Sequence, residues 1–132
     1  MEMDLNQVTL EAADFEASVD FYQRLGLHLI VLSEGRYARF ELPSGSTTLS
    51  LHKAENPVTP GAVLYFEVDD VDLHYRQLVE QGIAFEIPPT EERWRWKEAR
   101  FSDPSGNRLC LFHAGPDRRF PPWRLDQTKP GE

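Results

Sequence analysis

ARFELPSGSTTLSLH (residues 38–52) and ARFSDPSGNRLCLFH (residues 99–113) are two copies of one stretch, and that repetition decides the fold. Seven of the fifteen positions are identical: Ala38/Ala99, Arg39/Arg100, Phe40/Phe101, Pro43/Pro104, Ser44/Ser105, Gly45/Gly106 and His52/His113. Working outward, VTLEAADFEASVDFYQRLGL (8–27) lies over LYFEVDDVDLHYRQLVEQGI (64–83), with Glu11/Glu67, Asp14/Asp70 and Gly26/Gly82 coinciding. The offset is 56 residues early and 61 late, so the second copy carries five extra residues between Gly82 and Ala99. The unit is too long, and the copies too few, for a solenoid. Two copies of a mixed unit predict a pseudo-twofold domain with a cleft where the halves meet.

Each copy reads as strand, helix, then three strands, an α+β pattern. Val8, Leu10 and Ala12 alternate with Gln7, Thr9 and Glu11, the period of a half-buried strand. Asp14 is placed as a helix N-cap, Phe15, Val19, Tyr22 and Leu25 follow at helical spacing, and Gly26 closes the helix. Strands are predicted near 27–33, 36–42 and 47–53. In the second copy a strand at 62–68 leads to Asp70 as N-cap, then a helix on Val71, Tyr75, Leu78 and Val79 closed by Gly82. Strands near 84–88, 97–102 and 107–113 complete it. The expected organisation is one domain over 1–114: module one 1–54, linker 55–61, module two 62–114. A Pro-rich, charged and extended tail covers 115–132.

Composition fits one domain. The 132 residues suffice for a core, 40% are hydrophobic, and no apolar run approaches the length that spans a bilayer. MEMDLNQ lacks the features of a signal peptide. Cys110 is the lone cysteine, so the chain cannot form an internal disulfide, and a cytoplasmic location is expected. A net charge of −8 argues against a nucleic-acid partner and is compatible with cationic ligands.

Three stretches carry a resemblance: DFEASVDFYQRLGL (14–27), YFEVDDVD (65–72) and FSDPSGNRLCLF (101–112). On these the chain resembles the vicinal oxygen chelate superfamily, which includes glyoxalase I, extradiol dioxygenases, fosfomycin-resistance enzymes and bleomycin-resistance proteins. The resemblance implies two tandem βαβββ modules forming an eight-stranded cup, with helices outside and a ligand cavity inside. It leaves the reaction open, because this fold hosts many chemistries.

Strand parity then selects the cup-facing side chains. Val8, Leu10, Leu64, Phe66 and Val68 should face the helices, as should Ala38, Phe40, Ala99 and Phe101. Gln7, Thr9, Glu11, Arg39, Val63, Tyr65, Glu67, Arg100, Cys110 and Phe112 should then face the cup. Arg39 and Arg100 are expected to pair with Glu11 and Glu67 wherever the cup is dry. The inserted segment PTEERWRWKE (89–98) reads as a loop. Its Trp94 and Trp96 either pack on the rim or a second subunit, or form a stacking wall for a planar or cationic ligand.

By resemblance, the family's metal-ligand positions fall on Gln7, Val63, Cys110 and Ser50, or on Leu49 if the internal repeat sets the alignment. That set lacks the oxygen and nitrogen donors such sites use, so neither metal nor other cofactor is expected. His52 and His113, paired by the repeat, are either symmetric ligands or structural strand ends. His74 is expected to be solvated. No phosphate loop or nucleophile elbow is present, and Cys110 in LCLF reads as an inert thiol. Asp69, Asp70 and Asp72 read as acids around a helix start. Two functions follow from different classes. One is a metal-free protein that binds a small molecule, of the bleomycin-resistance kind. The alternative is a glyoxalase-, lyase- or dioxygenase-like enzyme with an altered site. The aromatics outside the repeat, Trp94, Trp96, Phe120 and Trp123, suggest a homodimer. No membrane partner is expected.

Overall fold

The computed structural model describes residues 1–57, 59 and 61–125; positions 58, 60 and 126–132 of the linker and tail lie outside the described residues. The elements in chain order are β1 (Gln7–Ala12), α1 (Phe15–Leu25), β2 (His28–Ser33), β3 (Tyr37–Glu41), β4 (Thr48–Lys53), β5 (Val63–Glu67), α2 (Val71–Glu80), β6 (Phe85–Glu91), β7 (Lys97–Ser102) and β8 (Arg108–His113). These are two tandem βαβββ modules of the α+β class, as the repeat predicts. The eight strands form two four-stranded sheets, ordered β1-β4-β3-β2 and β5-β8-β7-β6. In each sheet the first strand pairs parallel with the last, and the others pair antiparallel.

One apolar cluster joins the modules on the helix side. Leu10, Phe40, Leu49 and Leu51 of the first sheet lie in it with Phe101 and Leu109 of the second. Helix α1 serves both: its Phe21 ring lies 6.2 Å from Phe101, and Tyr22 lies 5.8 Å from Phe40. The parity assignments hold for the buried faces, with Val8, Leu64, Phe66 and Val68 packed on this core.

The two helix starts differ. Asp70 caps α2 by accepting from Leu73 N at 3.0 Å. Asp14 makes no side-chain cap bond; its own N–H donates to Ser105 Oγ at 3.2 Å. The module-two turn therefore sits where an Asp14 cap was expected. Gly26, at φ 113°, ends α1 in the left-handed region that only glycine enters freely.

Strand register corrects the alignment of the repeat. Arg39 stands opposite Ser50 and Arg100 opposite Cys110, so Ser50, not Leu49, is the counterpart of Cys110. Tyr37 stands opposite His52 and Glu98 opposite Phe112. His52 thus corresponds to Phe112, and His52 and His113 are not a symmetric pair. The cause is one extra residue in module one between the turn glycine and the last strand. A one-residue slip moves every following side chain to the other face.

Two further expectations change. The segment 89–98 is half strand: β6 runs past the expected end at 88 to Glu91, β7 starts at Lys97 as expected, and Glu92 N donates to Trp96 O at 2.8 Å across a tight turn. Pro88 and Pro89 are tolerated because β6 is an edge strand, and the pairing register shifts between Ile87 and Thr90. The tail is not extended where it begins. Gly115–Asp117 forms a 3-10 turn, and Phe120 N donates back to Pro116 O at 2.8 Å.

Candidate functional site

Each sheet has a face turned away from its helix, and the equivalent positions on the two faces carry different chemistry. On the first sheet the face is polar. Gln7 Nε2 donates to Ser50 Oγ at 2.8 Å and to Thr9 Oγ1 at 3.2 Å. Ser50 Oγ and the Tyr37 hydroxyl lie 2.7 Å apart, and Arg39 Nε donates to the same hydroxyl at 2.8 Å. Thr48 Oγ1 donates to Gln7 Oε1. The hydrogen bond from Ser50, with a lesser one from Arg39, holds the Tyr37 phenol below its ordinary range. Tyr37 was missed from sequence, although it shares the parity of Arg39. Glu11 is exposed on β1, and its main-chain carbonyl accepts from Asn107 Nδ2 at 2.9 Å.

On the second sheet the face is aromatic around one buried carboxylate. Tyr65 meets Phe112 edge-on at 5.3 Å and Trp96 at 6.0 Å, while Trp96 and Phe112 lie 5.0 Å apart. Cys110 and Phe112 form a small core of their own with Val63 and Trp96 packed on it. Arg100 Nη2 donates to Glu98 Oε1 at 2.7 Å and to the Tyr65 hydroxyl at 3.0 Å, with its guanidinium 5.3 Å from the Tyr65 ring centre. Trp94 Nε1 donates to Glu98 Oε2 at 2.7 Å.

The expected pairing of the arginines with Glu11 and Glu67 is therefore wrong. Glu98 stands two residues from Arg100 on the same face of β7 and reaches it first. Arg39 is met by Tyr37. Glu67, at the end of β5, accepts instead from Ala114 N at 2.7 Å and Gly115 N at 2.9 Å, which ties down the start of the tail. Glu98 escaped the sequence reading because it was grouped with the inserted segment 89–98, although the strand expected at 97–102 already includes it; in β7 it shares the parity of Arg100. His113 Nδ1 donates to Val68 O at 2.8 Å, a structural contact. His74 is half-buried rather than solvated.

The sequence model of the Glyoxalase/Bleomycin resistance protein/Dioxygenase superfamily matches residues 4–111. The chain belongs to that superfamily. It is 34% identical over 125 residues to the uncharacterized protein YraH of Bacillus subtilis (strain 168), covering 83% of this chain and 98% of YraH. Its structure is similar to a glyoxalase/bleomycin resistance protein/dioxygenase from Nocardioides, with 26% identity and a TM-score of 0.72, covering 100% of this chain and 90% of that one. It also shares the fold of a bleomycin-binding protein solved with bleomycin, at 22% identity and a TM-score of 0.66, covering 85% of this chain and 99% of that one.

Metals are common in this superfamily, and the donor set of this chain bears on whether it could hold one. The corresponding positions hold Gln7, Ser50, Val63 and Cys110, and they do not fit a divalent ion. The Gln7 amide is engaged by Ser50 and Thr48. Val63 has no donor atom. Burial, with the Glu98 charge adding and Arg100 opposing, pushes the Cys110 thiol from 9.0 up to about 12, so it is not a thiolate near neutral pH. The same shift predicts reactivity. At pH 8 folded Cys110 should react with Ellman's reagent about a thousandfold more slowly than the unfolded chain, from ionisation alone. Stability should be flat in this group below pH 9 and fall as pH rises from 9.0 towards about 12, because only the unfolded chain releases the proton there. Equal reaction rates with and without denaturant would contradict the burial.

Proposed function

We propose that the chain is a cytoplasmic small-molecule-binding protein that works without a divalent metal. Its ligand lies against the aromatic face of the second sheet, opposite the polar face of the first sheet of a second copy. The observation that carries this is the Tyr65–Trp96–Phe112 wall, with Tyr65 44% exposed. The exposed Tyr65 ring, with Trp96 half-buried beside it and Phe112 buried beneath, next to a charged pair, suits a planar ligand that also carries polar groups. The acidic groups of the aromatic face are engaged in structural contacts, which favours binding over proton transfer there. Both Glu98 oxygens are already taken by Arg100 and Trp94, and the Cys110 thiol is buried.

The second copy is suggested by exposed apolar residues on edge strands: Ile30 and Leu32 on β2, and Ile87 on β6. Trp123 in the tail is also exposed, at 56%. Truncation after Ala114 should weaken the twofold homodimer. A monomer in sedimentation at micromolar concentration, with and without the tail, would refute it.

Binding is tested by tryptophan fluorescence, titrating bleomycin and a panel of planar aromatic cations in the presence of EDTA. Saturable quenching is expected, weakened at least about tenfold in Trp96→Ala. Unchanged affinity in Trp96→Ala would rule out the aromatic wall as the site.

A further inference from the structure

The pseudo-twofold symmetry is also broken where the turn of each module meets the other module. Where the module-two turn meets module one, the junction is sealed. Tyr22 donates to Asp103 Oδ2 at 2.6 Å, Ser18 Oγ and Ser105 Oγ lie 2.7 Å apart, and Asn107 Nδ2 donates to Glu11 O at 2.9 Å. The equivalent junction, where the module-one turn meets module two, carries other residues. Leu42 stands for Asp103, Leu78 for Tyr22 and His74 for Ser18, and no asparagine occurs between Gly45 and Thr48. In place of a hydrogen-bonded seal there is a cavity of about 440 Å³. Its walls are apolar, among them Leu25, Leu27, Leu42, Phe66, Leu78 and Leu111.

We propose that this inter-module cavity is a second small-molecule site and that it takes a small apolar amine. The size is within the range of about 300–1,000 Å³ typical of small-ligand pockets. Beside Tyr65, the polar groups that line it are the Asp69 carboxylate, which only accepts, the Ser44 hydroxyl, which accepts or donates, and the His74 ring. His74 Nδ1 lies 2.9 Å from Asp70 O, a carbonyl that can only accept. The neutral ring therefore carries its proton on Nδ1 and keeps Nε2 as an acceptor. Glu67 borders the cavity with its carboxylate engaged by the start of the tail, and neither lysine nor arginine lines it among the described residues. An apolar body satisfies the walls, and a protonated amine satisfies the acceptors and the acidic rim. The cavity lies on the helix side of β5, where Phe66 and Leu111 point, so it does not depend on the aromatic face; only Tyr65 and Glu67 border both regions.

The test uses the full chain with three isosteric probes, 2-phenylethylamine, 2-phenylethanol and phenylacetate, followed by calorimetry and by amide shifts in NMR spectra. The amine should bind about tenfold more tightly than the alcohol, and phenylacetate more weakly than either. Asp69→Asn should remove the preference for the amine. Leu42→Asp combined with Leu78→Tyr rebuilds the sealed junction and should weaken the amine at least about tenfold. Because a new buried carboxylate can disturb folding, Leu78→Phe serves as a second, purely apolar filling variant with the same expected loss. Trp96→Ala, which removes the aromatic face, should leave amine binding unchanged. Equal binding of all three probes, no amine binding at about 10 mM, unchanged affinity in both filling variants, or loss in Trp96→Ala would each overturn the proposal. Loss of the ligands of the aromatic face, with amine binding intact, would count against that face alone.

Discussion

Replacing Asp103 with alanine should cost about 3–5 kcal/mol of folding stability, more than any other single change in a turn of this chain. The carboxylate accepts four hydrogen bonds: from the Tyr22 hydroxyl at 2.6 Å, and from Ser105 N, Asn107 N and Asn107 Nδ2 at 2.9 Å each. Tyr22 is wholly buried, and burial, reinforced by the Asp103 charge, pushes its phenol well above the ordinary range. The hydroxyl must keep its proton, and without Asp103 that proton loses its partner. A buried donor left unpaired costs about 1–3 kcal/mol, and three others lose theirs at the same time. Leu42→Ala, at the matching position of the other turn, removes apolar contact at a half-buried site and should cost only about 1 kcal/mol. Urea unfolding of the two variants measures the contrast. Equal losses would mean that the turn does not join the modules as described.

Glu98→Ala should cost about 2–4 kcal/mol, because it leaves the Arg100 charge and the Trp94 N–H without their acceptor. Arg100 is 31% exposed and can recover some hydration, which keeps the figure below that of a fully buried pair. Adding Arg100→Met should recover at least about 1 kcal/mol, since a methionine needs no partner there. Strict additivity of the two changes in denaturant unfolding would show that they do not interact.

Most of the fold was legible because two periodicities agree with each other. The alternation of Val8, Leu10 and Ala12 and the helical spacing from Phe15 to Leu25 recur in the second copy, so each reading checks the other. The candidate faces were legible where strand boundaries were clear, as with Arg39, Tyr65 and Phe112. They were not legible where a boundary or register was set by tertiary contact. Glu98 lies in the expected strand 97–102 at the parity of Arg100, but the overlap of that strand with the inserted segment 89–98 hid it. His52 and His113 aligned by identity, yet the strands pair by register, and one extra turn residue separates the two criteria. The contrast between the Asp103 turn and the Leu42 turn was visible as letters. What it does, sealing one junction and leaving a cavity at the other, needed the positions of α1 and α2.

The reading of this chain as a metal-free binding protein is tested most directly by elemental analysis of the purified protein after it has been offered zinc, nickel, manganese and iron(II) and then desalted. The prediction is well under one equivalent of any of them, with no difference among the wild type, Gln7→Ala and Cys110→Ala. One tightly held equivalent of a divalent ion in the wild type, lost in both variants, would contradict it and return the chain to the metal-dependent branch of its superfamily.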